Sequence, residues 1–324
     1  MPGYPFDPEL AEAARTLPAL DLDDIDSLRK QMAEGAAALP PVTVPGNVRV
    51  ERLEINNPDS HEPLPLVVIH PNRSGETPPC LVWLHGGGFV LGSAELDLHT
   101  TVGIAEHTGA TVVSVDYRLA PEHPYPAALI DSCAAVEWVR SHHSELGIDP
   151  SRIGIGGTSA GACLAAGTAL WARDNAGPDL CFQLLDNPVL DGRTATGSMT
   201  RFTDTPMWSA ASARTSWHLY RNTARHNLFA QYASPAQSDS FAGLPPTFVS
   251  IAEFDPLRDE AWEYARRLLA AGVQTEVHLY PGTFHSSTHV VTEAAISRRA
   301  LDDLHTALIR AFDRGGEVRP PSPN

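Results

Sequence analysis

Ser159 lies in Gly157-Thr158-Ser159-Ala160-Gly161, a G-x-S-x-G pattern. A serine hydroxyl is a weak nucleophile until a neighbouring base, itself oriented by a third group, activates it for attack on a carbonyl. The pattern arises by chance in roughly one chain in ten of this length, so its surroundings decide what it means. Ile153–Gly156 reads as a strand running into it, and the small residues Ala162-Cys163-Leu164-Ala165-Ala166-Gly167 read as a helix running out. That is the context of a nucleophile elbow, where a strained turn lifts the hydroxyl above a sheet. A dinucleotide-binding G-x-G-x-x-G starting at Gly154 is the rival reading, and it fails because Ser159 stands where its third glycine should be.

A second glycine cluster, His85-Gly86-Gly87-Gly88-Phe89, follows the apolar run Leu81–Leu84. Three consecutive glycines are costly in chain entropy, and a plain turn rarely needs them. Their exposed N–H groups, together with that of Ala160 after the serine, could receive a developing oxyanion. The bland alternative is a flexible hairpin tip.

Fourteen histidines compete to be the base. His285 follows the strand pattern Gln274–Tyr280 in a Pro-Gly-Thr-Phe loop, whereas His278 falls within that strand and His289 near the next helix start. Loops at the carboxyl ends of strands form the working face of an α/β sheet, which favours His285. Asp255 follows the strand Thr247–Ala252 at the same kind of position, with Pro256 fixing the turn. Glu253 and Asp259 are its rivals, and Asp259 reads as first-turn charge of the next helix. The chain order is then Ser159, Asp255, His285, the order of nucleophile, acid and base in an α/β-hydrolase.

The elements that must position these groups alternate from Asn47 onward. Val48, Val50, Leu53 and Ile55 alternate on a first strand whose phase shifts midway, as at a bulge. Further strands are expected at Leu64–His70, Cys80–Leu84, Thr111–Val115, Ile153–Gly156, Cys181–Leu185, Thr247–Ala252 and Gln274–Tyr280. Helical patterns lie between them at Glu95–His107, Pro126–His142, Ser159–Arg173 and Arg258–Ala271, with a last one near Val290–Phe312. This rhythm predicts a mostly parallel sheet covered on both faces. Two stretches stand outside it. Residues 1–45 carry two helical segments, Pro8–Leu17 and Ile25–Leu39, the second with Ile25, Leu28, Met32 and Ala36 on one stripe. Asp191–Leu244 interrupts the alternation and reads as an insertion, with Trp208 and Trp217 among polar residues. The catalytic core is thus expected over 46–313, and the Gly- and Pro-rich tail 314–324 is expected to be disordered.

The chain has 324 residues and a formal net charge of −16. That acidity argues against nucleic-acid binding, which rests on a basic face. No apolar run approaches the roughly 18 residues of a membrane helix. The start MPGYPFDPEL lacks the basic and apolar character of a secretion signal, so a cytoplasmic location is expected. Cys80, Cys133, Cys163 and Cys181 form no metal-site spacing and read as core thiols.

Taken together, His85–Phe89, the run Asp116–Ala127 (DYRLAPEHPYPA), the serine elbow, Asp255–Glu260 (DPLRDE) and Tyr280–His285 resemble the bacterial hormone-sensitive-lipase-like branch of the α/β-hydrolases. The matching pieces run from about residue 80 to 290, and GTSAG at the elbow resembles one sub-branch. The resemblance implies hydrolysis of short- to medium-chain carboxylic esters through a Ser-His-Asp triad, without metal or organic cofactor. It implies that the N-terminal helices and the insertion form a cap. Gly86, Gly87, Gly88 and Ala160 would make the oxyanion hole, with Gly87 and Gly88 the usual loop donors. Phe89, Met207 and Trp208 would contact substrate. Family members often form homodimers, so that assembly is expected, and Asp116–Ala127 would be scaffold. The chain departs from the family at Thr158, at Ala162, at Asn187 where an aromatic is common, and at Ser286-Ser287 where Gly-Phe is frequent. Asn187 and Ser286-Ser287 bear on substrate preference. Cleavage of an amide, carbamate or lactone by the same triad is a rival reading. A non-catalytic ligand-binding relative is another, disfavoured because such relatives typically lack the histidine that is present here as His285.

Overall fold

The computed structural model describes residues 3–17, 19–38, 40–72, 77–221 and 230–314. Eight strands form one sheet: β1 Val48–Ile55, β2 Leu64–Pro71, β3 Cys80–Leu84, β4 Thr111–Val115, β5 Ile153–Thr158, β6 Phe182–Asp186, β7 Thr247–Phe254 and β8 Thr275–Phe284. Their order is β1-β2-β4-β3-β5-β6-β7-β8. The β1–β2 and β2–β4 pairs are antiparallel and the rest are parallel. β3, β4 and β6 are buried along their whole length. Their continuous apolar runs follow from that, because both faces of a parallel sheet are covered by crossover helices.

Helices Ala127–Ser141, Ala160–Asp174 and Arg258–Ala270 pack into the core cluster on one face. Leu98–Thr108 and the C-terminal helix Ala295–Arg314 form the cluster on the other. In the last helix Ala300, Leu304, Leu308 and Phe312 are buried four residues apart, which gives one apolar stripe against the sheet. Three of the cysteines are buried, Cys181 is partly exposed, and none is bridged.

Several expectations need correction. The first strand carries no bulge: β1 pairs with β2 in unbroken register from Val48↔Pro71 to Ile55↔Leu64. Its change of phase has another cause. Val48 and Val50 pack on one face of the sheet, while Leu53 and Ile55 join the cluster on the other, so this edge strand serves both. The strand before His285 does not stop at Tyr280 but continues to Phe284. A register shift absorbs Pro281-Gly282-Thr283, since Ala252 pairs with Tyr280 and Phe254 with Phe284. The last expected helix is divided into Ser287–Val290 and Ala295–Arg314. Arg314 therefore ends a helix, and the remainder of the expected tail lies outside the described residues, as does 222–229 of the insertion.

The N-terminal segment contains helices Ala11–Thr16 and Ile25–Ala38, and the insertion contains Gly197–Arg201, Ala210–Arg221 and Ala230–Ala233. These two remote pieces meet. The N–H of Leu20 donates to the carbonyl of Met207 (3.0 Å), and Ser212 Oγ donates to the carbonyl of Leu20 (2.7 Å). Ile25, Leu28 and Met32 lay the predicted stripe against the main core. Arg29 ties the same helix down, donating to Val90 and Ala120 carbonyls and to both oxygens of Glu122.

Candidate active site

β5 delivers Ser159 to a turn with φ 56° and ψ −115°, directly ahead of the helix that starts at Ala160. A side chain at positive φ is strained by about 1–3 kcal/mol and persists only when its surroundings impose it. The surroundings do so through close packing: a Cβ on Gly161 would stand 1.9 Å from the Leu84 carbonyl oxygen. No larger residue lets the helix approach β3 this closely. The N–H of Ser159 donates to the Asp186 carbonyl (2.8 Å), and its own carbonyl accepts from Val189 (3.1 Å).

Three predicted groups come together here. His285, one residue beyond β8, places Nε2 2.9 Å from Ser159 Oγ and Nδ1 2.6 Å from Asp255 Oδ2. All three side chains are buried. Asp255 is fixed as it leaves β7 by accepting the Leu257 N–H through Oδ1 (2.9 Å). The rivals are engaged elsewhere. Glu253 accepts from the Gly282 N–H, Asp259 accepts from the Ser198 N–H, and His278 contacts Glu276. Asp259 lies in the first turn of helix Arg258–Ala270, as its position in the sequence predicts.

The glycine loop faces the serine across a cavity of about 210 Å³. Gly86, Gly87 and Gly88 line it together with Ser159 and His285. The Gly87 carbonyl accepts from Val90 (3.1 Å) and Leu91 (2.8 Å), which closes the loop into a tight turn. Gly87 has φ 124°, and a Cβ there would lie 2.1 Å from the Leu91 carbonyl oxygen, so this position requires glycine. Ser216, on the insertion, donates to the Gly88 carbonyl (2.7 Å) and pins the loop from above. Ala160 stands at the first helical position, where a backbone N–H has no intrahelical acceptor.

Of the three residues expected to contact substrate, two line the cavity. Met207 and Trp208 form part of its wall, and the Trp208 ring centroid lies 5.9 Å from that of His285. Phe89 does not. Its φ of 66° turns the ring inward, where it stacks 3.9 Å from Tyr220. Leu20 and Met32, from the N-terminal segment, complete the wall and were not identified individually from the sequence.

The departures at Thr158 and Asn187 explain each other. Both converge on the buried carboxylate of Asp186, which the sequence reading had not singled out. Asp186 Oδ2 accepts from Thr158 Oγ1 (3.1 Å) and His289 Nε2 (2.6 Å). Its Oδ1 accepts from Asn187 Nδ2 (3.0 Å) and Ser250 Oγ. Burial alone would raise this carboxyl, but His289 and the hydroxyl donors outweigh it and hold the pKa below the ordinary value. Burial likewise opposes protonation of His289, and Asp186 outweighs it, raising the imidazole pKa. A second Asp–His pair therefore underlies the elbow, built from His289, one of the histidines disfavoured as the base. Asp186 also fixes Ser159 directly, since its carbonyl takes the Ser159 N–H. His85, under the loop, stacks on Tyr117 at 4.1 Å, and burial drives it toward the neutral form.

Tyr117, Arg118 and Asp116 show what the DYRLAPEHPYPA run does. The Tyr117 hydroxyl donates to the His85 carbonyl (2.8 Å), Asp116 accepts from the Ala94 N–H, and Arg118 pairs with the buried Asp131. The run braces the glycine loop from behind.

Residues 81–289 match a family described by its alpha/beta hydrolase fold. Carboxylesterase NlhH of Mycobacterium tuberculosis is 38% identical over 278 residues, covering 84% of this chain and 86% of that one. Esterase LipI of the same organism is 38% identical over 281 residues, covering 84% and 85%. Among solved structures, a bacterial heroin esterase superposes with a TM-score of 0.89 at 40% identity, over 95% of this chain and 98% of that one. Esterase LipW of Mycobacterium marinum gives 0.85 at 37% identity, over 95% and 96%. The chain belongs to the α/β-hydrolase fold family, in its hormone-sensitive-lipase-like branch of bacterial esterases.

Proposed function

We propose that this chain hydrolyses short- to medium-chain esters of small molecules with Ser159 as nucleophile, His285 as general base and acid, and Asp255 as the group that orients the imidazole. The observation that carries this reading is the continuous Ser159–His285–Asp255 hydrogen-bonded array facing the cavity. Ser159 Oγ attacks the ester carbonyl while its proton passes to His285 Nε2. The tetrahedral oxyanion is received by the N–H groups of Gly87, Gly88 and Ala160. Collapse expels the alcohol, which takes the proton from His285 and leaves an acyl-Ser159. Water then gives a proton to the same nitrogen and attacks the acyl carbon, and the acid departs as Ser159 regains its proton. Asp255 stabilises the imidazolium in both halves.

The N-terminal helices and the insertion act as a cap over the site; Leu20, Met32, Met207 and Trp208 support that role by lining the cavity. Among the described residues no helix is long and apolar enough to cross a membrane. We assign the activity to the cytoplasm and to a homodimer, which fractionation and sedimentation would test. The decisive experiment is labelling with a serine-directed organophosphate. One adduct, on the peptide carrying Ser159, is expected, with turnover lowered about 10⁴–10⁶-fold in Ser159→Ala. An adduct elsewhere, or full activity in that variant, would overturn the assignment.

A further inference from the structure

Asp97 lines the same cavity as Ser159 and His285, and among the described residues no other aspartate or glutamate, and no lysine or arginine, lines it. Its Oδ2 accepts from Trp83 Nε1 at 2.6 Å. Among the described residues no cationic side chain forms an ion pair with it. Although Asp97 directly precedes helix Leu98–Thr108, its carboxylate does not cap that helix. Arg29, His289 and His85 are engaged elsewhere or held neutral. Arg29, on the helix that supplies Met32, is bound to Glu122 and to the Val90 and Ala120 carbonyls. His289, whose pKa is raised by Asp186 and to a lesser degree by Asp97, gives its Nε2 to Asp186. Burial drives His85, which lines the same cavity, toward neutrality against the opposing pull of Asp97.

Asp97 is half-buried and is the one acidic side chain among the apolar, hydroxyl and imidazole groups of the wall, so a cation bound there gains an ion pair at reduced dielectric. The remaining wall suits an alkylated cation: Leu20, Met32 and Met207 offer aliphatic and thioether surface, and Trp208 offers an aromatic ring. The chain's net charge of −16 adds a field that concentrates cations.

Resting on the ester-hydrolase reading above, we propose that this cavity selects carboxylic esters bearing an ammonium group, with Asp97 as the counter-charge that sets specificity. Two isosteric pairs serve as probes, one for each side of the ester bond on which the ammonium can sit. Acetylcholine against 3,3-dimethylbutyl acetate places the charge on the alcohol. Betaine ethyl ester against ethyl 3,3-dimethylbutanoate places it on the acyl group. Each pair exchanges a quaternary nitrogen for carbon at constant shape. The readout is the cation-to-neutral ratio of kcat/KM, compared between wild type and Asp97→Asn, which cancels intrinsic ester reactivity. Asparagine keeps an oxygen to accept from Trp83. In at least one pair the ratio should fall about tenfold in the variant, the effect of losing one modest charge interaction. A ratio unchanged within twofold in both pairs would overturn the proposal. A second measurement needs no variant: choline should inhibit wild-type hydrolysis of 3,3-dimethylbutyl acetate at a concentration about tenfold below that of 3,3-dimethylbutanol, and equal inhibition would also overturn it. If none of the four esters is hydrolysed and no organophosphate adduct forms at Ser159, it is the esterase reading that fails.

Discussion

Replacing Asp186 by asparagine tests whether the second Asp–His pair positions the nucleophile. Asp186 is 3% exposed and accepts from four side-chain donors, one of them the raised imidazole of His289. Removing one partner of a fully buried ion pair costs about 3–5 kcal/mol. The His289 side chain keeps 18% of its surface exposed and can shed its proton, so ~2–3 kcal/mol is the better expectation here. For a chain of this length that lowers Tm by roughly 3–5 °C. The loss has a pH signature. The folded pKa of His289 is raised, so its contribution is present below about 6.5 and fades as pH rises through the folded value. The folded pKa of Asp186 is lowered, so its contribution is present above about 3.9 and fades only as pH falls through the folded value. The Tm gap between wild type and Asp186→Asn should therefore be widest near pH 5–6 and narrow in alkali. Because the Asp186 carbonyl holds the Ser159 N–H, kcat should fall about 10–100-fold with little change in KM, as expected for a nucleophile displaced by up to ~1 Å. Calorimetry across pH and ester hydrolysis at saturation supply both numbers. A lowered Tm with unchanged kcat would refute the positioning role.

Asp255→Asn should lower kcat by about 10⁴-fold while Asp259→Asn, which retains an acceptor for the Ser198 N–H, should stay within about tenfold, as steady-state kinetics would show. Leu20→Ala and Met32→Ala should shift the ratio of kcat/KM between medium and short acyl esters. Leu10→Ala, buried against Phe284 and away from the cavity wall, should lower Tm without moving that ratio. His305 is held down at about 4 by burial and by the stacked His107. Between about pH 6.5 and 4 the unfolded chain takes up a proton that the folded one refuses, so stability falls with pH by up to roughly 3 kcal/mol. In His305→Gln this acid limb, followed by denaturant melts, should flatten.

The grouping of Ser159, Asp255 and His285 was legible because each follows a strand end, and strand ends can be read from hydrophobic alternation. Spacing also separates Asp255 from Asp259, since one precedes a helix and the other begins it. Direction of side chains is less legible. Phe89 reads as a pocket residue from its place after the glycines, yet a positive φ turns its ring toward Tyr220. The strand to His285 runs longer than its apolar pattern because a register shift admits proline and glycine, residues that normally end a strand. Asp186 escapes notice because it is the last residue of a buried strand, where a carboxylate is unexpected. The hints in the sequence are the departures from the family at Thr158 and at Asn187, the latter standing where an aromatic is common.

The backbone contact between Leu20 and Met207 bears on how this scaffold changes its substrates. The pocket wall is contributed by two stretches nearly 190 residues apart in the chain and joined edge to edge, while the reacting groups sit on the sheet beneath. Substrate range can then be inherited or exchanged separately from the chemistry, but only if both stretches travel together. A chimera that receives one from a relative without the other would present mismatched partners at Leu20, Met207 and Ser212. Recombination between homologous genes inside this span would break that match more often than crossovers outside it.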